Sequence, residues 1–431
     1  MMQKTIHLKN NALRGNVQVP GDKSMSHRAV IFGALASGTT IIHDFLSGED
    51  CLSTIGAFQK MGVCVGLDEQ TVTIKSNGAE YFSEPAEPVH LGNSGTTARL
   101  LLGVLAGQPF HTVLTGDHSL SKRPMDRVTV PLHQMGAQSD GRCDGKLLPM
   151  SIRGGQLSPI DYTLPVHSAQ VKSAILIAGL FANGTTTVTE PVPTRDHTER
   201  MITAFGGKMD RSGSAISVMG HQKLKGTELS IPGDISSASF FIAGGILANQ
   251  SEITIKDVGL NPTRTGILDV VKKMGANIQV ETTKHIGDEP VGNIYVTSGS
   301  LRETVISGDM IPKVIDEIPL LALLATQADG ETVIKDASEL RFKETDRIKT
   351  IVQVLKKFGA SISEREDGMV IRGGTPLKGG RVSSYGDHRI GMMEAIASLI
   401  TSEPVEIEDP DCIRISYPDF FKDLQSLSRP L

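Results

Sequence analysis

Four cysteines are all that the 431 residues contain, and Cys51, Cys64, Cys143 and Cys412 form no C-x-x-C pair and show no matching histidine spacing. That scatter reads as reduced structural thiols and argues against a zinc site. An excess of one charge is also missing. With 39% hydrophobic residues, 21% charged residues and a net charge of -5, nothing in the overall balance favours a nucleic acid or a membrane surface as partner, so any basic site must be local. No apolar run reaches the length of a membrane span, because even the greasiest stretches meet a glycine or a charge after about 15 residues. The opening "MMQKTIHLKNNALRG" carries charges and asparagines where a signal peptide needs an apolar core, and no Arg/Ser-rich transit segment precedes it. A cytoplasmic prokaryotic enzyme is the expectation.

What the chain does have is length enough for two domains and a repeat that composition hides. The stretches from Gly38, Gly184 and Gly330 share one plan: a short Thr/Val/Ile-rich strand, a polar loop, an amphipathic helix, and an exit at glycine. Looser copies start at Pro109 and Ser251, and a truncated sixth at Glu403. Successive starts lie about 65 to 80 residues apart, so six units account for almost the whole chain. Each strand is preceded by a second, greasier helix, such as "SMSHRAVIFGALA", "SGTTARLLLGVLAG" or "SAQVKSAILIAGLFA". A helix that is apolar around most of its circumference must be surrounded by protein. The expected architecture is therefore α/β, with two inside-out domains of three repeats each around a pseudo-threefold axis, the apolar helices at the centre. The halfway break falls near Pro232-Gly233, which mirrors Pro20-Gly21. Residues 20–232 then form the first domain, and residues 1–19 with 233–431 the second.

Every apolar helix is expected to have a polar first turn: Lys23, Ser24 and Arg28; Asn93, Ser94, Gly95 and Thr96; Ser168 and Gln170; Asp234 and Ser236; Asp316 and Glu317; Asp387, His388 and Arg389. N-capping accounts for Asp234 and Ser236. It does not account for cations at Lys23, Arg28, His388 and Arg389, where the helix dipole is already positive, and these point to an anionic ligand. The turn in "LGNSGTTAR", between Gly92 and Gly95, could cradle an oxyanion on backbone N–H groups. A second ring of charge recurs in the loops before the amphipathic helices: Lys122 and Arg123, Arg195, Arg264, then Lys343, Glu344 and Arg347. Equivalent loops converge in such a domain, and two domains facing each other would make a positive cleft suited to ligands with several carboxylates or phosphates. Glu344 and Asp316, set among those cations, are either structural counter-ions or general acid/base groups, and spacing alone leaves both readings open.

Together, "GDKSMSHR", "LGNSGTTAR", "SKRPMDR", "SAQVKSA", "RDHTER", "NPTR", "KETDRI" and "GDHRIGMM" resemble the enolpyruvyl transferases, in order and over effectively the full chain. "SAQVK", "RDHTE" and "NPTR" are closer to a bacterial sequence class of the branch acting on shikimate 3-phosphate. The resemblance implies the same two-domain inside-out fold with its active site in the inter-domain cleft. It also implies transfer of the enolpyruvyl group of phosphoenolpyruvate to the 5-hydroxyl of shikimate 3-phosphate, without metal or organic cofactor, by a monomer that closes on its ligands. Carried onto this chain, the family pattern gives Ser24, Arg28, Ser168, Ala169 (backbone) and Arg195 to shikimate 3-phosphate, with Gln170 between the two ligands. Lys23, Gly95, Arg123, Arg347 and Arg389 would bind phosphoenolpyruvate, with Lys343 and His388 nearby. Glu344 would protonate the methylene carbon, and Asp316 would take the hydroxyl proton.

One departure stands out. Where a large branch of the family has a lysine, "CIRISYPD" has Ile415 with Arg414 beside it, so a phosphate contact there is not expected, and Arg264 is read as structural. Two rivals remain: a sister enzyme acting on a UDP-sugar, which uses a cysteine on the loop that reads "GDHSLSKRPMD" here and has none, and a non-catalytic binder of phosphorylated metabolites.

Overall fold

The computed structural model describes residues 3–8 and 11–430. Residues 1, 2, 9, 10 and 431, assigned above to the second domain, lie outside them. The chain divides into two compact units: Gly21–Ile231, and Pro232 onward together with the residues up to Pro20. Each unit has its own hydrophobic core.

The Gly21–Ile231 unit is built from one pattern used three times. In its middle repeat, strand Val89–His90 leads into the apolar helix Gly95–Ala106, which returns as strand His111–Thr115, parallel to the first (Val89 opposite Leu114). The amphipathic helix Asp126–Met135 follows, and strands Gln138–Gly141 and Leu147–Arg153 then extend the sheet antiparallel. The third repeat runs the same way through helices Ala169–Gly179 and His197–Ala204. The first has helices Lys23–Leu35 and Glu49–Lys60, and borrows its leading strand: Glu228–Ser230, from the far end of the unit, pairs parallel with Ser37–His43.

These assignments follow from the residues. The strands are Thr/Val/Ile-rich with one face buried, as in Thr71–Asn77. The Lys23 helix is buried from Met25 to Leu35, as its lack of a polar face requires. Gly103 shows how closely the central helices approach: a Cβ there would sit 2.4 Å from the Ala174 carbonyl oxygen, so any side chain would force the Gly95 and Ala169 helices apart. Gly136 ends the Asp126 helix in the left-handed region at φ 111, which a residue with a Cβ enters at a cost.

The other unit repeats the plan with two substitutions supplied by the N-terminal segment. Strand Asn11–Gln18 lies parallel to Glu252–Gly259 and leads that sheet, with helices Ile235–Leu247 and Gly266–Lys273 in the same repeat. Next come helices Ile318–Ala325 and Arg347–Lys357 with the sheet centred on Glu331–Ile334. Among the described residues the truncated last repeat, helices His388–Ala397 and Phe420–Leu427, has no hairpin of its own. Strand Gln3–Ile6 takes that place, antiparallel to Val405–Glu408. Among the described residues the strands make six sheets, three in each unit, and no helix is long and apolar enough to cross a membrane.

Two local expectations need correction. Asp234 does cap its helix, accepting from Ser236 N at 2.8 Å, but the Ser236 hydroxyl does not cap: it donates to Glu317 and accepts from Arg264. Arg28 is not in a first turn, because its helix begins at Lys23 and Arg28 falls in the second.

Candidate active site

In the Gly21–Ile231 unit, polar groups gather where the three apolar helices begin. Asp22 caps the Lys23 helix by accepting from Met25 N at 2.8 Å, which fixes the direction in which Lys23 and Ser24 leave the first turn. Lys23 pairs with Asp50 from the neighbouring amphipathic helix. The cation at the positive end of the helix dipole is thus partly offset by the protein's own carboxylate, and the demand for an external anion is weaker than the sequence implied.

Arg28 is 2% exposed and its guanidinium is spread over three elements. Nε donates to Thr198 Oγ1 at 2.7 Å, Nη2 to Ser173 Oγ at 2.9 Å, and Nη1 to the Ser24 carbonyl at 3.0 Å. Ser94 caps the Gly95 helix through Thr97 N. Arg123, in the loop before the Asp126 helix, donates to the backbone and side-chain oxygens of Asn93 and to Ser119 Oγ. A Cβ on Gly95 would lie 3.1 Å from Arg123 Nη1 and 3.3 Å from Arg99 Nη1, so glycine is what lets two guanidinium groups close over that helix start. Ser168 caps the third apolar helix, with Ala169 its first residue. Gln170 accepts from Arg99 Nη1 at 2.6 Å and donates to Thr96 Oγ1 at 2.9 Å, which ties the third helix start to the second. Arg195 lies half-buried in the loop before the His197 helix.

The second cluster lies in the other unit and centres on Arg347, whose side chain is 1% exposed. Nε and Nη2 grip Asp387 at 2.8 and 3.2 Å, Nη1 reaches Asp316 Oδ1 at 3.3 Å, and Nη2 reaches Glu344 Oε2 at 2.5 Å. Burial works against this charge, but the Asp387, Glu344 and Asp316 carboxylates outweigh it and hold the guanidinium above its ordinary pKa. Asp316 sits just before the Ile318 helix and also receives Lys343 Nζ at 3.5 Å. Arg389 donates to its carbonyl at 3.4 Å and approaches Oδ2 at 3.8 Å. Asp387 caps the His388 helix through Arg389 N at 3.0 Å, and His388 itself is buried.

Lys343, Arg347 and Arg389 therefore converge on Asp316, and Glu344 stands on the same arginine. Glu344 is the more exposed of the two carboxylates and pairs with Arg347. Arg264 is tied to Asp234 at 3.1 Å and Ser236 at 2.7 Å, in keeping with a structural reading, and Arg414 is exposed. Among the described residues no group of three or more His, Cys, Asp or Glu side chains could hold a metal ion.

Sequence reasoning passed over Asp50, Arg99 and Lys172. For Arg99 and Lys172 a signal existed, since each is a cation inside an otherwise apolar helix. Asp50 carried none, because an acidic residue in the first turn of an amphipathic helix is ordinary.

The model of the family described as EPSP synthase (3-phosphoshikimate 1-carboxyvinyltransferase) matches residues 8–424. The 3-phosphoshikimate 1-carboxyvinyltransferase of Geobacillus kaustophilus (strain HTA426) is 58% identical over 419 residues, covering 97% of this chain and 98% of the relative. That of Bacillus subtilis (strain 168) is 54% identical over 422 residues, covering 98% and 99%. Among solved structures, an EPSP synthase from Acinetobacter baumannii superposes with a TM-score of 0.87 at 45% identity, covering 99% of this chain and 98% of that one. The enolpyruvyl transferase NikO from Streptomyces tendae shares the fold at 18% identity with a TM-score of 0.79.

Proposed function

The chain belongs to the EPSP synthase family, and on that premise we propose that its two polar clusters hold shikimate 3-phosphate and phosphoenolpyruvate while Asp316 and Glu344 move the protons. The enzyme transfers the enolpyruvyl group of phosphoenolpyruvate to shikimate 3-phosphate. In our reading Ser24, Arg28, Ser168, the Ala169 backbone and Arg195 hold shikimate 3-phosphate, and Lys23, Gly95, Arg123, Arg347 and Arg389 hold phosphoenolpyruvate. Gln170 touches both ligands, and Lys343 and His388 lie near phosphoenolpyruvate.

The observation that carries the mechanism is that Asp316 and Glu344 stand on the two arms of one guanidinium, Arg347. The reaction needs two proton transfers of opposite sense at neighbouring atoms, and two carboxylates sharing one cation are suited to supply them. Glu344 gives a proton to the methylene carbon of phosphoenolpyruvate. The 5-hydroxyl oxygen bonds to the adjacent carbon as its proton passes to Asp316, giving a tetrahedral ketal. Phosphate then leaves, taking up the proton held by Asp316, while the methyl group returns a proton to Glu344 and the double bond re-forms. Two polyanions repel each other strongly, so the cations are needed simply to hold them within reach.

We read the reaction as complete with protein side chains and the two substrates, run by a cytoplasmic monomer with no nucleic-acid partner. Phosphate release from phosphoenolpyruvate, measured with shikimate 3-phosphate or a UDP-sugar as acceptor, tests the reading. Release is expected only with shikimate 3-phosphate. Release with the UDP-sugar alone would reassign the acceptor, and release with neither would leave a binder of phosphorylated metabolites.

A further inference from the structure

The segments "SAQVKSA" and "RDHTER" contain four residues that the proposed chemistry does not use: Lys172, Ser173, Thr198 and Glu199. Lys172 is 0% exposed on an apolar helix, a placement costly for an ammonium unless it is paired. It is paired twice, with Glu190 at 3.0 Å and Glu199 at 2.7 Å. Glu190 also accepts from Thr194 N at 3.0 Å and Thr194 Oγ1 at 2.8 Å, and Arg211 reaches its other oxygen at 3.5 Å. Thr194 immediately precedes Arg195, so the buried ammonium fixes, through one carboxylate, the loop that carries that arginine.

One residue along, the contact is between hydroxyls. Ser173 Oγ and Thr198 Oγ1 are 2.6 Å apart, and both accept from Arg28, at 2.9 and 2.7 Å. Positions 172 and 173 of the third apolar helix thus meet positions 198 and 199 at the start of the His197 helix, with Arg28 from the first apolar helix laid across them. Burial raises the Glu199 pKa against the pull of Lys172, so the neighbouring ammonium favours the ionised carboxylate.

We infer that Lys172, Ser173, Thr198 and Glu199 form one buried clamp that positions Arg28 and the Arg195 loop for shikimate 3-phosphate; this rests on the roles proposed above for those two arginines. The clamp residues are positioning residues, since none of them is assigned a substrate contact. Loosening the clamp costs affinity for one substrate and leaves the proton chemistry alone.

The test is steady-state phosphate release by the full chain, with KM measured separately for each substrate. Thr198→Val keeps the shape and removes the shared hydroxyl, and Glu199→Ala removes one partner of Lys172 while the Lys172–Glu190 pair remains. Each is expected to raise KM for shikimate 3-phosphate about tenfold, with KM for phosphoenolpyruvate and kcat changed by no more than about threefold. Glu199→Gln should recover most of the loss, because its amide oxygen still accepts from Lys172. Ser173→Ala is a milder second probe of the hydroxyl half, and thermal melts check that every variant is folded. Equal rises in both KM values, or folded variants with unchanged KM for shikimate 3-phosphate, overturn the clamp. Arg195→Ala separates the two levels. If it leaves that KM unchanged, the substrate assignment itself fails; if it raises KM and the clamp variants do not, the clamp alone fails.

Discussion

Replacing Glu344 by glutamine removes one ionisable group from a cluster that can survive the loss. Arg347 keeps Asp387 at 2.8 and 3.2 Å and Asp316 at 3.3 Å, and the new amide oxygen can still accept from Nη2. Glu344 is partly exposed, so loss of its charge should cost about 1 kcal/mol of stability, which corresponds to a melting shift of about 2–4 °C for a unit of this size. Turnover is a different matter. An amide cannot donate a proton to carbon and take one back, and a positioned acid/base group is worth about 10²- to 10⁴-fold. That range corresponds to about 3–5 kcal/mol of barrier. The assay is phosphate release at saturating shikimate 3-phosphate with phosphoenolpyruvate varied. A fall in kcat of that size, with KM for phosphoenolpyruvate within about threefold, is expected. A folded variant turning over within threefold of the parent would remove Glu344 from the chemistry.

Other perturbations read other parts of the account. Gly95→Ala places a methyl group 3.1 Å from Arg123 Nη1 and 3.3 Å from Arg99 Nη1. It should raise KM for phosphoenolpyruvate about tenfold while KM for shikimate 3-phosphate moves less, and equal changes in the two would contradict the assignment of Arg123. His27 is fully buried with Nδ1 2.7 Å from Thr54 Oγ1; burial, then Lys23 and Arg28, push its pKa well below normal. The stability tied to its neutral form is present above about pH 6.5 and drains away as pH falls, at up to about 1.4 kcal/mol per unit. His27→Gln should therefore show a shallower acid limb between pH 7 and 5 in denaturant titrations, and parallel curves for parent and variant would refute this. Glu394 has the opposite sign. Among the described residues its carboxyl oxygens have no hydrogen-bond partner, and burial raises its pKa well above the ordinary value, so its contribution is full below about pH 4.5 and is lost as pH rises through the raised value. Glu394→Gln should gain on the parent as pH rises from 5 to 8, and a constant difference would count against a buried neutral acid.

The repeat was readable because it is written locally. Thr/Val/Ile strands, a glycine after each of the first five amphipathic helices, and helices without a polar face recur along the chain, and each is decided within a few residues. The pairings that complete the sheets were not. Nothing in "QKTI" says that Gln3–Ile6 fills the place of a missing hairpin beside Val405–Glu408, and nothing in "ELS" says that Glu228–Ser230 leads the sheet of Ser37–His43. Such contacts depend on where the ends of each unit fall in space. The same division holds for the candidate site. Lys23, Arg28 and Arg389 were conspicuous as cations on apolar helices, whereas their partners Asp50, Thr198 and Asp316 belong to elements distant in sequence. The role of Ser236 was misjudged for that reason, since Arg264 and Glu317 reach it only in the folded chain.

The central claim is that a proton is added to and then removed from the methylene carbon by Glu344. Running the reaction in D2O and analysing the enolpyruvyl group of the product measures that directly. Glu344 exchanges with solvent, and the transient methyl group carries one new hydrogen among three. Deuterium should therefore appear at the methylene carbon of the product. Product formed at the normal rate in D2O with no deuterium at that carbon would contradict the addition–elimination account.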